Sequence, residues 1–182
     1  FVEAQAHLDD AEALCEQVAD QDLAARFGHD PIVALKIYQS LNATYRGQSA
    51  RAAAYLDAAL TRADLIGHIN TTCTTLGLAV IAAQVAGDVE AETRHYKVLS
   101  ALTREHNVAA SRMWAEATNG LLQLARGDLG GYDTYLAGEK TILDANIRLL
   151  VPGHRVLAAR RLHALDQDEK ARDMADAAEA LM

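Results

Sequence analysis

Apolar residues along this chain recur at helical spacing, in segments divided by short turns rich in Gly, Asp, Asn and His. Val33, Ile37, Leu41 and Tyr45 fall at i, i+4 intervals, and Ala52, Leu56, Ala59, Leu60 and Ala63 follow the same rule. Such spacing places each set on one face of a 3.6-residue helix. An earlier face (Ala4, Leu8, Ala11, Leu14, Cys15 and Val18) predicts a first helix that starts near Glu3 and runs toward Arg26. Paired helices are then predicted over 30–66, 69–105, 107–145 and 147–182. The division falls at 69–86 with 88–105, 108–126 with 129–145, and 148–165 with 168–181. Thr71, Thr72, Cys73, Thr74 and Thr75 are poor helix formers, so 69–86 is helical only by its place in the pattern. Ile142-Leu143 and Leu149-Leu150-Val151 can be read as strands, but the longer pattern overrules such short runs.

The turns carry the pattern. Gly47-Gln48, Gly87-Asp88 and Gly127-Asp128 lie forty residues apart, and Asp166-Gln167 falls one short of a fourth. A second set alternates with the first: Gly28-His29-Asp30, Gly67-His68, His106-Asn107 and Asn146. A period of this size marks a repeat protein, whose units bury their apolar faces against their neighbours. Two helices of about 17 residues, each about 25 Å long, fill one period with their turns. Short connections make sequential helices antiparallel. The expected architecture is therefore all-α: one helical-repeat domain over 1–182, an α-solenoid of antiparallel hairpins with a period near 40 residues. Residues 1–26 read as the leftover helix of a preceding repeat. That unpaired helix, and a chain that begins at Phe1, predict a fragment of a longer array with an exposed apolar edge able to support a homodimer.

Composition narrows the partners. The chain is 51% apolar but only 5% aromatic, with two Pro, so its apolar content is mostly Ala and Leu, which suits close helix packing. A net charge of -8 and a pI near 5.3 argue against nucleic acid or an anionic membrane surface as partner. No uninterrupted apolar run approaches the ~18 residues of a membrane span, and no basic-then-apolar leader is present. Cys15 and Cys73, far apart and both in predicted helices, read as buried free thiols of a reduced, cytoplasmic protein. There is no Cys-x-x-Cys and no His pair at ligand spacing, so neither metal nor cofactor is expected.

A turn residue followed five positions later by Ala, as in Gly47 with Ala52 and Asp166 with Ala171, resembles tetratricopeptide repeats. The period is longer than the 34 residues of that family. The run Phe27-Gly28-His29-Asp30-Pro31-Ile32-Val33-Ala34, with Glu3-Ala4-Gln5-Ala6-His7-Leu8 before it, is similar to segments of large bacterial signalling proteins. Those proteins join an adenylate/guanylate cyclase or DNA-binding domain to a signal-transducing ATPase and a tetratricopeptide-like tail. The resemblance implies a C-terminal sensory segment whose cyclase or ATPase chemistry lies in other domains. The chain itself has no phosphate loop: Gly138-Glu139-Lys140 lacks the first Gly and the helix start that motif needs.

Candidate sites each have a plainer explanation beside the functional one. Asp30-Pro31 is a helix start, with Asp accepting an orphan amide and Pro at the first helical position. His29, His68 and His106 recur at unit boundaries, where a His can bond a terminal carbonyl. Residues 140–172 hold seven basic residues against four acidic, whereas the first thirty hold eight acidic against Arg26. Arg155, Arg160 and Arg161 could therefore dock an acidic peptide or neighbouring domain, or simply form a solvated helix face. Trp114 could anchor a peptide in a groove, or pack in the core. Alignment of the turn glycines adds Thr44 and Gln84 to the groove candidates, and Thr71 to Thr75 could offer hydroxyls to a ligand or bond back to their own helix. No nucleophile, base and orienting group converge. The expected function is a non-catalytic scaffold for a protein or peptide partner. A stand-alone adaptor and a small-molecule-sensing repeat domain are the alternatives.

Overall fold

The computed structural model describes residues 1–15, 17 and 23–181, and among them every regular element is helical. The helices are α1 (Val2–Cys15), α2 (Leu23–Phe27), α3 (Pro31–Tyr45), α4 (Ser49–Ile66), α5 (Ile69–Ala86), α6 (Val89–Glu105), α7 (Ala109–Ala125), α8 (Gly131–Asp144), α9 (Val151–His163) and α10 (Asp168–Glu179). The helix expected to run toward Arg26 is represented by two pieces, α1 and α2. Val18, placed on its apolar face, lies outside the described residues.

Turn chemistry sets the boundaries. Gly28, Gly47, Gly67, Gly87 and Gly127 adopt φ between 64° and 84°, and Asn107, Asn146 and Asp166 adopt φ of 52° to 58°. These are the residues the sequence marks as turns. They are all the left-handed positions among the described residues, and they recur every nineteen or twenty positions. Glycine enters this region without a Cβ clash, and Asn and Asp tolerate it best among the others. At the opposite helix ends, Asp30 Oδ1 accepts the Val33 amide at 2.8 Å and Asp88 Oδ1 accepts that of Ala91 at 2.8 Å. The threonine-rich α5 forms in full as the buried helix of its unit, and two of its hydroxyls bond back to the preceding turn. Thr75 donates to the Thr71 carbonyl at 2.8 Å and Thr72 to that of His68 at 3.4 Å.

The chain divides into two compact units, Phe1–Val108 and Ala109–Met182. In the first, α3 pairs antiparallel with α4 and α5 with α6, and α5 also packs on both α3 and α4. Val33, Ile37, Ala59, Ala63, Cys73, Ala79 and Leu99 form its interior, and α1 lies along α3. By length and composition α5 could cross a membrane, but 56% of it is buried, as expected of a helix at the centre of a core. In the second unit α7 pairs with α8 and α9 with α10, and α7 packs on α9. Leu121, Leu124, Tyr135, Ile142, Leu157, Leu162 and Met174 make one continuous core there. Ala52 and Ala171, the alanines five residues after a turn, are both buried.

Candidate functional site

Within Phe1–Val108 the α3–α4 and α5–α6 hairpins leave an open groove of about 400 Å³. Small residues make it. Ala52 and Ala53 of α4, Ala79, Ala82, Ala83 and Ala86 of α5, and Ala91 of α6 line it, with Leu56 the largest apolar side chain. Alanines let backbones come close but do not fill the space between them. The polar lining is Ser40, Thr44, Ser49, Asp88 and His95. Two of its hydroxyls are already committed, Ser40 to the Ala52 carbonyl at 2.9 Å and Thr44 to the Ser40 carbonyl at 2.9 Å. Burial holds His95 below the usual histidine range, with Arg94 adding to the effect and Asp88 opposing it. The groove therefore presents an imidazole, one capping carboxylate and the Ser49 hydroxyl on a wall made mostly of alanine.

Thr44 is half-buried in this groove. Gln84 is not a lining residue: it is buried in the α5–α6 contact, where it donates to Glu92 Oε1 at 2.9 Å. Asp30 does more than cap α3. Arg62 of α4 forks onto it, with Nε to Oδ1 at 3.1 Å and Nη2 to Oδ2 at 3.0 Å. The Asp30 amide donates to Thr71 Oγ1 at 3.1 Å, and that hydroxyl in turn lies 2.9 Å from His68 Nδ1, which also accepts the Thr71 amide at 3.4 Å. Burial pushes the Asp30 carboxyl up, but Arg62 and the Val33 amide outweigh it and hold the group below its ordinary value. The distinctive Gly-His-Asp-Pro run thus ties α3, α4 and α5 together. His68 serves as an acceptor at a helix start, not as a donor to a terminal carbonyl.

The second unit has its own polar cluster, built on α8 and α9. Arg155 forks onto Glu139, with both nitrogens at 2.9 Å, and its third branch reaches the Ala177 carbonyl of α10 at 2.6 Å. Tyr135 donates to Glu139 Oε1 at 2.5 Å. Hydrogen bonds to the Glu139 carboxylate push the Arg155 pKa further up, while burial and the same carboxylate push the Tyr135 phenol up. Arg155 is therefore engaged inside the unit, whereas Arg160 is exposed and Arg161 half-buried. Trp114 packs on the core and meets the buried His154 edge-on, with ring centroids 5.3 Å apart. Burial lowers the His154 pKa to about 4, against Glu139 and with Arg161.

Cys15 and Cys73 are both free thiols, and burial pushes the Cys73 thiol up. No grouping of His, Cys, Asp and Glu among the described residues could hold a metal ion. Compared with known proteins, the chain matches no family model, no curated protein and no solved structure.

Proposed function

We propose that the chain is a non-catalytic, tetratricopeptide-like α-solenoid that binds a protein or peptide partner, and that it serves as the C-terminal regulatory segment of a cyclase- or ATPase-containing cytoplasmic signalling protein. The observation that carries the interaction role is the alanine-lined groove, a preformed concavity between two helical hairpins. Its apolar wall and committed hydroxyls favour holding an apolar side chain over bond-making chemistry. The left-handed turns every nineteen or twenty residues support the repeat reading. The attachment to an output domain rests on the resemblance of the Gly28-His29-Asp30-Pro31 run alone.

The test is a peptide selection on the immobilised full chain, followed by affinity measurement on an Ala53→Trp variant. Ala53 is exposed on the groove wall, so the indole fills the groove without entering the core. Selected peptides are expected to lose about tenfold or more in affinity, worth ~1.4 kcal/mol. Unchanged affinity would remove the groove from the binding role. An immunoblot of the source lysate tests the attachment: a band at the chain's own 19.6 kDa refutes it. The groove's size also suits a small metabolite, the second reading. A metabolite at 100 times its Kd stabilises by about 2.7 kcal/mol in a thermal-shift screen, and Ala53→Trp abolishes that shift.

A further inference from the structure

The contact between α1 and α3 is built unlike the other helix pairs of its unit. Phe1 stacks on Tyr45 with centroids 5.1 Å apart and Glu12 meets Lys36, so α1 runs antiparallel along α3. Yet none of its residues is buried, and Val2 and Leu14 are exposed at 76% and 65%. Beyond the Phe1–Tyr45 stack, what joins the two helices is polar. Glu12 accepts from Lys36 and, at 2.8 Å, from Gln39, while Gln5 accepts from Asn42 at 2.9 Å and Arg46 at 3.5 Å. The amide orientations are fixed, because Gln5 spends its own NH₂ on Asp9 at 2.8 Å and Gln39 must donate to a carboxylate.

This contact is also incomplete. Gln39 Oε1 and Asn42 Oδ1 are fully enclosed and have no partner, although their residues are only 0% and 6% exposed. A buried acceptor without a donor keeps the cost of its lost hydration. α1 therefore neutralises Lys36 and offers Arg46 an amide oxygen, but supplies nothing to two acceptors on the same face.

We propose that the α3 face of Lys36, Gln39, Asn42 and Arg46 is a helix-docking surface, that α1 occupies it as a displaceable cover, and that its partner is an amphipathic helix of another protein. That helix would carry a carboxylate and an amide seven residues apart, as Glu12 and Gln5 are, and a further hydrogen-bond donor between them. Lys36 selects the carboxylate, Asn42 and Arg46 select the amide, and the two unanswered acceptors select the donor. This surface is separate from the alanine-lined groove, so either site can fail without the other.

A charge exchange in the full chain tests it, with a fluorescein-labelled peptide of residues 1–15 (Cys15→Ser) as probe. Glu12→Lys sets two ammonium groups against each other. It is expected to speed hydrogen exchange in α1 about tenfold or more while α5 keeps its protection. The probe should then bind this variant about tenfold or more tighter than the parent, because the tethered helix no longer competes. Adding Lys36→Glu restores the pair with its signs reversed, so α1 protection returns and probe binding is lost. A probe with Leu8→Gln, which places a donor between Gln5 and Glu12, should bind about threefold tighter or better. Four results overturn the proposal: α1 protected as well as α5 in the Glu12→Lys chain, equal probe binding to parent and variant, binding that survives the double change, or weaker binding of the Leu8→Gln probe. Cross-links joining α1 of one chain to α3 of another would overturn it too, by making a second copy the occupant.

Discussion

In Ala109–Met182 the α7 and α8 backbones meet across Gly120, Gly131 and Gly138, whereas in Phe1–Val108 alanines and hydroxyls stand where the helices approach. A Cβ on Gly120 would lie 2.2 Å from the Tyr135 nitrogen, and one on Gly138 would lie 2.5 Å from that of Ala117. Nothing comparable holds at Gly77 of α5, whose added Cβ would have Leu99 Cδ2 as its nearest neighbour at 4.0 Å. One unit thus closes on itself and spends its polar residues on an internal Glu139–Arg155–Tyr135 cluster. The other keeps room between its helices, an alanine-lined groove and a polar face under α1. Packing that leaves space leaves a surface on which a partner can act.

The largest expected break in that comparison comes from the two forked arginines. Arg155 and Glu139 are only 14% and 8% exposed at their side chains, so Arg155→Met strands a buried carboxylate and should cost about 3–5 kcal/mol. Arg62 is 30% exposed, and Asp30 keeps the Val33 amide without it, so Arg62→Met should cost nearer 1 kcal/mol. Urea unfolding of the two variants measures the difference. Equal costs would mean that the units are equally dependent on their ion pairs.

Acid should separate the units next. His154 is neutral in the folded chain down to about pH 4, whereas an unfolded histidine takes up a proton below about pH 6.5. The unfolded state therefore binds more protons between these values, and stability falls as pH drops from 6.5 to 4, by at most ~3 kcal/mol. In the first unit His95 is depressed in the same sense but less than His154, and Asp30 works in a lower window. Its depressed carboxyl stabilises the fold above the ordinary aspartate range, and that contribution is lost only as pH falls through the still lower folded value. Trp114 is the chain's one tryptophan and lies against His154, so its fluorescence reports the second unit. Denaturation followed by this signal should weaken first on acidification, and His154→Phe should flatten the slope between pH 6.5 and 4. A slope unchanged in the variant would assign it to other groups.

Much of the helical layout was legible because turns obey local rules. Each of the eight positions marked by Gly, Asn or Asp is left-handed, and Asp30-Pro31 starts α3 as its residue types require. The back-bonding of Thr72 and Thr75 was legible for the same reason. What needed tertiary structure was not. Glu139 and Arg155 are sixteen residues apart, and Asp30 and Arg62 are thirty-two apart, so no periodicity links them. The α1 face was read from Ala4, Leu8, Ala11, Leu14, Cys15 and Val18. Leu8, Ala11 and Cys15 are half-buried on that face, but contact with α3 brings Gln5 and Glu12 inward as well and leaves Ala4 and Leu14 exposed. Alignment of the turns placed Gln84 in the groove, but alanines line that wall while Gln84 pairs with Glu92. Gly120, Gly131 and Gly138 were visible as letters. Inside a helix, however, a glycine signals only weakened propensity until the neighbouring backbone is seen.

Two glycine-to-alanine changes put the comparison in its sharpest form, because chemistry and helix context are alike and only the neighbour differs. Gly120→Ala forces the α7 and α8 backbones apart and should destabilise by about 3 kcal/mol. Gly77→Ala meets only Leu99 at ordinary contact distance and removes the entropy cost of a mid-helix glycine. It should stabilise by about 0.5–1 kcal/mol, the smallest effect and the only gain. Both are read from urea midpoints at constant slope, with Trp114 fluorescence following the second unit and far-ultraviolet dichroism following all the helices. If Gly77→Ala also destabilises, α5 and α6 are packed as tightly as α7 and α8, and the contrast between an open and a closed unit fails where it was drawn.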